Sequence, residues 1–513
     1  MEEPDARRDP TSTALHRIVR QHVESFVRFA SERSGRSLPA YVVEEFRAYL
    51  RCGVLSHGFA RARCGSCGHE RLVPFSCKRR GVCPSCGGRR MSGTAARVCD
   101  GVLPAVAVRQ WVLSVPFELR RVLAAKPAML NEVSRAFWEE MRRWYRAASE
   151  RETNDDARIE AGAITFVQRF GGSLNLNIHF HVVAADGVWR CPVDGSDPIF
   201  VATRAPTRDD LQRVLERLVA RPRLERRFER RAAVAQGAMA TQSSDDEMQD
   251  SALAGCLRAA LARGSYAKVD AGRVDEELDE VRFARRPPRA EAAEVAGFNL
   301  HASVVIGASD HEGRERLLRY VSRPAVVKER VTELTDGRVA YLLKQPGGRG
   351  QTHRVMEPME FMARLAALVP PPRHPLVRYH GVFAPNSPWR AGVVPTPPTA
   401  DVTCGARVNS PNESSEKRRS RSGEASGEPV DTKADGTSDE RPRERAVKSR
   451  IDWATLLHRV WEVDALVCSR CMGRLRFIAV ITERAVIVRI LDHLGIPSER
   501  VIAAPARSGF DTS

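Results

Sequence analysis

Apolar residues recur at helical spacing in two stretches near the N-terminus. This spacing predicts two amphipathic helices within residues 13–50. The residues that carry the pattern are Ile18, Val19, Val23, Phe26 and Val27, then Val42, Phe46, Tyr49 and Leu50. Further along, the apolar run QWVLSVP (110–116) predicts a buried strand, and a helical pattern follows it through Trp144.

Two strand-like runs then flank a short loop. AITFVQRF (163–170) and NIHFHVVAA (177–185) lie on either side of a loop that contains Gly171, Gly172 and Ser173. Such a pair predicts an antiparallel hairpin. If the hairpin closes between residues 173 and 174, Gln168 lies opposite His179.

Later segments alternate between strand, helix and polar stretches. FNLHASVVIG (298–307) predicts a strand, with a helix after it over 314–321, and residues 338–345 and 352–357 predict a smaller hairpin. Residues 207–290 are charged, rich in alanine and broken by TQSSDDEMQD, which indicates a helical insertion. Residues 386–450 are too polar to bury a core, so we predict a disordered linker there.

These patterns suggest four parts of the chain. We predict an N-terminal helical and cysteine-rich module over 1–100 and a main region over 101–385 that carries the insertion. The linker over 386–450 and a small helical segment over 451–513 with a further cysteine pair follow.

Composition adds a strong positive charge. The 513 residues include 81 lysines and arginines against 64 aspartates and glutamates, a net charge of +17, and only 8 of the cations are lysine. Arginine suits phosphate contact, so nucleic acid is one explanation of this excess, and a codon bias toward arginine is the other. No apolar run approaches the roughly 18 residues of a membrane span. The first residues are polar and unlike a secretory signal, so we expect a cytoplasmic protein without disulfides that contacts no membrane.

The cysteines point to a metal site. Cys64-x-x-Cys67 and Cys83-x-x-Cys86, separated by 15 residues, have the spacing of a structural zinc ribbon. Cys52, Cys77, His57 and His69 lie in the same stretch; they form a second site, Cys77 replaces one ribbon ligand, or they bind nothing. The pair Cys468 and Cys471 needs outside ligands, needs a second chain, or binds no metal. Arginines crowd the ribbon and suggest DNA contact: Arg79, Arg80, Arg89 and Arg90.

A second candidate metal site lies on the predicted strand 177–185. His179 and His181 are two residues apart, so both imidazoles project from one face of the strand. They can hold a divalent ion with positions left open, or they are surface histidines on an edge strand. Gln168 would share their face as a third ligand, with His301 on the strand 298–307 as the alternative.

Tyr320 lies late on the predicted helix, in the run RERLLRYVSRPAVVKERV, with Arg319 and Arg323 close by. A phenol is a weak nucleophile near neutral pH, and nearby cations and a polarised phosphate would lower its barrier to attack on phosphorus. The alternative is an ordinary tyrosine that packs beside Leu317.

Taken in this order, the motifs resemble one family. The chain resembles the rolling-circle insertion-sequence transposases of the IS91 type, which combine a zinc-binding module with a His-hydrophobe-His (HUH) catalytic domain. The segments that carry the resemblance are FSCKRRGVCPSCGGRRM (76–91), RQWVLSVP (109–116), ITFVQRFGGSLNLNIHFHVVAADGVW (164–189), LLRYVSRPAVVKERV (317–331), residues 352–386 and the tail.

The resemblance implies both a fold and a reaction. It implies an α+β HUH-type catalytic domain in which the histidine strand lies at the centre of an antiparallel sheet, with helices on one face. It implies structural Zn²⁺ at the cysteines, Mg²⁺ or Mn²⁺ at His179 and His181, and DNA as the partner. Tyr320 matches the nucleophile that cuts one strand and leaves a 5′-phosphotyrosine. Some members carry a second tyrosine four residues earlier, where this chain has Arg316, so the sequence matches the single-tyrosine group.

Two other functions are compatible with the same motifs. A plasmid-type rolling-circle replication initiator or relaxase would use identical chemistry beside a replication origin. A non-catalytic, zinc-dependent DNA-binding protein would keep the cysteines and cut nothing.

Overall fold

The central feature of the computed structural model is a six-stranded antiparallel sheet. The structure describes residues 9–149, 158–192, 196–221, 251–262, 265–267, 292–346, 350–395 and 466–507. All of them belong to one compact unit, formed by residues 1–396 and 451–513. A second unit, residues 397–450, lies outside the described residues.

The α-helices of the described residues, numbered in chain order, are α1 (Ala14–Ser34), α2 (Ala40–Arg51), α3 (Pro84–Gly101), α4 (Phe117–Ala125), α5 (Pro127–Ser149), α6 (Arg208–Val219), α7 (Ala252–Leu261), α8 (His311–Ser322), α9 (Pro358–Leu368), α10 (Arg390–Val393) and α11 (Arg484–His493). The strands are β1 (Phe59–Cys64), β2 (Glu70–Pro74), β3 (Val108–Ser114), β4 (Arg158–Glu160), β5 (Gly162–Phe170), β6 (Leu176–Ala185), β7 (Gly187–Cys191), β8 (Ile199–Ala202), β9 (Ser265–Ala267), β10 (Ala293–Val295), β11 (Phe298–Ile306), β12 (Val331–Glu333), β13 (Val339–Leu342), β14 (His353–Met356), β15 (Val377–Gly381) and β16 (Leu475–Ile481).

The central sheet has the strand order β10-β11-β3-β6-β5-β15, and its mapped pairs are antiparallel. β6, which carries His179 and His181, lies between β3 and β5, away from both edges. The fold is therefore α+β with a central antiparallel sheet, as predicted. The alternative of histidines on an edge strand is wrong, because both neighbouring strands pair along β6.

Helices cover both faces of this sheet. On one face, Phe180 of β6 packs in the same cluster as Leu123 of α4 and Phe137 of α5. On the other face, Val183 packs with Val98 of α3 and Leu318 of α8. The expectation of helices on one face is wrong, since β6 carries apolar side chains in both directions and each set needs a cover.

The C-terminal segment completes the N-terminal module. β16 pairs with β1 in a three-stranded sheet of order β16-β1-β2. Ile487 and Leu491 of α11 pack against Phe59 of β1. The tail predicted as a separate helical segment thus contributes a strand as well as a helix, and it joins residues more than 400 positions earlier.

Two predicted boundaries need correction. Residues 386–395 form a turn and α10, with Val393 buried, so the predicted linker does not begin at 386. In the predicted insertion, α7 is buried in the main core through Cys256 and Leu257. Residues 222–250, 268–291 and 396–450 lie outside the described residues.

Candidate active site and metal centres

The two histidines of β6 and the glutamine of β5 meet on one face of the central sheet. The register pairs Gln168 directly with His179, as the hairpin pattern predicted. His179, His181 and Gln168 are 9%, 3% and 3% exposed, so water reaches little of this cluster.

Local hydrogen bonds set the state of His179. Its Nδ1 donates to the carbonyl oxygen of Asn177 at 3.0 Å, which leaves the lone pair on Nε2 for another partner. Burial lowers the pKa of His179 to about 4, so the ring is neutral at neutral pH. A neutral imidazole with a free Nε2 has the form that a metal ion requires.

His181 is held by a residue that the sequence analysis missed. The side-chain amide of Gln110, on β3, lies 2.8 Å from His181 Nδ1. Rotating the Gln110 amide by half a turn exchanges its oxygen and its nitrogen. With the oxygen toward the ring, His181 Nδ1 donates a hydrogen bond to it, and His181 Nε2 keeps its lone pair. Burial, His179 and Arg323 lower the pKa of His181 well below its usual range. His181 Nε2 is buried without a hydrogen-bond partner.

Gln168 links the histidines to the tyrosine helix. Its Nε2 donates to the carbonyl oxygens of Tyr320 at 3.1 Å and of Val321 at 2.9 Å. Its Oε1 is buried without a hydrogen-bond partner. The amide therefore anchors the end of α8 and keeps one oxygen for a further ligand.

His301 lies in the same cavity but farther from His181. It pairs across the sheet with Val112, which in turn pairs with His181. Two strand spacings, roughly 10 Å, thus separate the backbones of the two histidines. Gln168 pairs directly with His179, whereas His301 lines the cavity; which of the two is the third ligand stays a prediction.

Tyr320 lies over the histidine cluster. Its ring centroid is 5.5 Å from that of His181, in an edge-to-face arrangement. Two cations lie against the same ring, with Arg323 Cζ at 5.2 Å and Lys344 Nζ at 4.9 Å from its centroid. Tyr320 thus lines the cavity and also packs against the apolar cluster that contains Leu317; its role as a nucleophile stays a prediction.

A cavity of about 650 Å³ opens over this cluster. Its walls are formed by Gln110, Val112, Ser114, Gly172, Ser173, Asn177, His179, His181, Tyr266, His301, Ser303, Val304, Tyr320, Arg323, Leu343, Lys344 and Gln345. Sequence reasoning missed Gln110 and Lys344. A polar residue within a buried strand, and one of only 8 lysines, were the available signals.

The donor set fits a divalent cation. Two neutral imidazoles and the amide of Gln168 lie on one face of the sheet, and His181 Nε2 and Gln168 Oε1 are buried atoms without hydrogen-bond partners. Orphaned buried polar atoms are rare in folded proteins, and a bound ion would satisfy both of these.

The cysteines form two groups of four, and neither is the predicted one. The first group consists of Cys52, Cys77, Cys83 and Cys86, most of them buried. Sulfur–sulfur distances of 3.5 Å (Cys52–Cys83 and Cys77–Cys86) and 3.7 Å (Cys52–Cys86) match the edge of a tetrahedral zinc site, which is about 3.8 Å, and are far from a disulfide bond. We call this group the inner tetrad.

The second group joins the two ends of the chain. It consists of Cys64, Cys67, Cys468 and Cys471, with Cys67 and Cys471 exposed. Their sulfurs lie 3.4 Å (Cys64–Cys471) and 3.7 Å (Cys67–Cys468) apart. We call this group the outer tetrad; it supplies the outside ligands that the tail pair needed.

The predicted zinc site of Cys64, Cys67, Cys83 and Cys86 is therefore wrong in its grouping. The two Cys-x-x-Cys pairs fall into different tetrads, because β1 turns the first pair toward the tail and α3 carries the second toward Cys52 and Cys77. Neither His57 nor His69 belongs to a tetrad.

The residue after the inner tetrad packs against the segment that follows Tyr320. Gly87, which follows Cys86, packs against Pro324, which follows Arg323. A Cβ at position 87 would lie 2.6 Å from the Cβ of Pro324, so this approach requires glycine.

The arginines predicted to bind DNA differ in their surroundings. Arg80 donates to the carbonyl oxygens of Pro371 and His374, both at 2.8 Å, which gives it a structural role. Arg79 contacts Glu44, Arg90 donates to Lys78 O, and Arg319 contacts Glu315. Within this set, Arg323 lines the cavity. DNA contact by these arginines, including Arg89, stays a prediction.

Among the described residues, every helix is too short or too polar to cross a membrane.

Comparison with known families gives two matches. Residues 162–390 match the family described as "Putative transposase", and residues 18–115 match the transposase zinc-binding domain of the IS91 group. The first match covers the histidine hairpin and the tyrosine helix, and the second covers the inner tetrad. This match and the two tetrads support structural zinc. No curated protein and no solved structure matches the chain.

Proposed function

Because the chain belongs to the IS91-type transposases, we propose that it moves a DNA element by cutting and rejoining single strands through Tyr320. The observation that carries this proposal is the meeting of Tyr320, His179 and His181 in one cavity, with the Tyr320 ring 5.5 Å from the ring of His181. As a transposase the chain acts on DNA; the single-strand, rolling-circle mode belongs to this proposal.

The proposed reaction needs no external energy source. The Tyr320 oxygen attacks the scissile phosphorus and loses its proton, a P–O tyrosine bond forms, and the P–O3′ bond breaks. The products are a 5′-phosphotyrosine and a strand with a free 3′-hydroxyl. Rejoining is the reverse step, in agreement with a sequence that contains no GxxxxGK[ST] phosphate loop.

His179, His181 and Gln168 would hold a divalent ion, Mg²⁺ or Mn²⁺. Such an ion supplies positive charge that polarises a phosphoryl oxygen. The chain's own residues prepare the site: Asn177 and Gln110 orient the two imidazoles, and Gln168 ties the end of α8 to β5.

The N-terminal module would hold the element end. It carries cations on a fold that two zinc ions would make rigid, and the inner tetrad reaches the tyrosine site through Gly87 and Pro324. DNA held there would lie beside the nucleophile.

Cleavage of single-stranded oligonucleotides tests this function. The substrates cover the DNA on both sides of the gene, with Mg²⁺ or Mn²⁺ present, and the covalent adduct is mapped by mass spectrometry. We expect cleavage and an adduct on Tyr320, with neither in Tyr320→Phe. Tyr379→Phe, on β15 outside the cavity, is the matched control and should cleave normally.

The other outcomes identify the alternatives. Cleavage at a replication origin without element ends would indicate a rolling-circle initiator. Zinc binding and DNA binding without cleavage in either metal would indicate a non-catalytic DNA-binding protein. Undiminished cleavage by Tyr320→Phe would refute the assignment of the nucleophile.

A further inference from the structure

A lysine reaches the tyrosine site from a separate hairpin. β13 and β14 form this hairpin, and the N–H of Leu343 donates to the carbonyl oxygen of Thr352 at 2.8 Å beyond the end of β13. Lys344 follows directly, where the loop begins. Its Nζ lies 4.9 Å from the ring centroid of Tyr320.

Two packed elements hold the backbone of Lys344 in place. The hairpin is anchored in the core by Val339, Tyr341 and Met356, which are 0%, 2% and 3% exposed. On the other side, a Cβ at Gly172 would lie 3.4 Å from the Cβ of Lys344, so the β5–β6 loop packs against the lysine stem. The ammonium group is thus presented to the cavity by a well-supported backbone.

The two cations near Tyr320 differ in what they can do. Arg323 lies between two rings, 5.3 Å from Phe170 and 5.2 Å from Tyr320, an arrangement that suits a flat guanidinium. The lysine ammonium is a compact point charge on a flexible stem, which can follow a charge as it moves. In a chain with 8 lysines among 81 cations, a lysine here is also the less common choice.

We propose that Lys344 is a further catalytic residue of the Tyr320 site, whose ammonium group stabilises the negative charge that builds up as the tyrosine oxygen bonds to phosphorus. This role rests on the proposed function. Lys344 acts through its charge and transfers no proton. The tyrosine proton passes to solvent, the P–O3′ bond breaks, and the departing 3′ oxygen takes a proton from water.

The test compares three variants of the full chain on the single-stranded oligonucleotide that the wild type cleaves. Lys344→Met removes the charge at similar length, Lys344→Arg keeps it, and Lys328→Met is the matched control, since Lys328 pairs with Glu329 elsewhere. The measurements are the single-turnover cleavage rate in Mg²⁺, the DNA affinity without divalent ion, and the thermal midpoint of unfolding.

We expect Lys344→Met to lose about 100-fold in cleavage rate, the usual effect of removing one charge-stabilising donor. Its DNA affinity should stay within about threefold of wild type, because the charge it stabilises develops only during the reaction. Lys344→Arg should recover most of the rate, and Lys328→Met should match the wild type. The thermal midpoints should be equal.

Two results would overturn the proposal while leaving the proposed function intact. One is a Lys344→Met variant that cleaves at the wild-type rate. The other is a loss of affinity as large as the loss of rate, which would make Lys344 a contact for bound DNA only. A wild type that does not cleave, or a Tyr320→Phe variant that does, would refute the proposed function and the role of Lys344 with it.

Discussion

Gln168 provides the sharpest test of how the site is assembled. The helix α8 ends at Ser322, so the carbonyl groups of Tyr320 and Val321 lack partners within the helix. Gln168 Nε2 donates hydrogen bonds to both carbonyl oxygens, at 3.1 and 2.9 Å, and its side chain is 3% exposed. Water has little access to replace it. Gln168→Met keeps the volume and removes both hydrogen bonds.

The expected cost follows from these two contacts. A net hydrogen bond contributes about 1 kcal/mol, and a buried carbonyl without a partner costs about 1 to 3 kcal/mol. Gln168→Met should therefore lower the free energy of unfolding by about 2 to 4 kcal/mol, and the thermal midpoint by several degrees. Gln212→Met is the control, because Gln212 on α6 makes only an exposed contact with Glu216.

Gln168→Glu separates the anchoring role from the metal-ligand role. A carboxylate cannot donate to the two carbonyl groups, and its buried charge is costly without a cation. We expect this variant to have the lowest thermal midpoint of the three proteins in EDTA. Mn²⁺ should raise its midpoint more than that of the wild type, and should raise the midpoint of Gln168→Met less. Differential scanning fluorimetry with and without Mn²⁺ measures both effects. Equal midpoints for Gln168→Met and wild type would refute the anchoring, and equal Mn²⁺ shifts in all three would refute ligation.

The remaining predictions concern zinc, acid and the contact between the modules. Purified protein should contain two zinc ions per chain, and Cys468→Ser with Cys471→Ser should leave one, as measured by atomic emission; an unchanged count would contradict the outer tetrad. Burial lowers the pKa of His380 to about 4 against the ordinary 6.5, so the unfolded chain takes up the proton first as the pH falls. His380 alone should cost the folded state about 3 kcal/mol between pH 6.5 and pH 4, in addition to the loss from His179 and His181, so His380→Gln should lose less stability than the wild type in the same pH series of melts. Gly87→Ala should lower the cleavage rate roughly 10- to 100-fold at unchanged zinc content, by displacing the chain next to Arg323. Gly88→Ala is the control: a Cβ at position 88 meets nothing within 4 Å, so this variant should cleave at the wild-type rate.

Local patterns predicted the part of the site that lies on one hairpin. His179 and His181 share a face because they are two residues apart on a strand, and Gln168 lies opposite His179 because a short loop determines the register. The strand character of 163–170 and 177–185 is equally local. Each of these features depends on residues within about 20 positions of one another, which is the range over which periodicity carries information.

The cysteine grouping depends on contacts that no local pattern contains. Spacing does not distinguish one Cys-x-x-Cys pair from another, so the sequence pattern groups the pairs at 64 and 83, which are close along the chain. The fold instead pairs Cys64 with Cys471, across 407 positions, through the antiparallel match of β1 and β16. The pairing of β1 with β16 brings the tail cysteines to Cys64, and this pairing is visible only in the folded structure.

The composition does not identify the cations of the site, Arg323 and Lys344, for a different reason. A net charge of +17 suggests that arginines mark the DNA surface, yet Arg354 and Arg364 are 1% and 0% exposed and donate to backbone carbonyls. Arg109 also has a structural partner, since its Nε lies 2.7 Å from Asp186 Oδ1. Because many arginines have structural roles in the core, the net charge does not indicate which cations take part in the reaction. Arg323 and Lys344 stand out only by their distances to the Tyr320 ring, and it is this position, not the count of cations, that connects the charge of the chain to its proposed reaction.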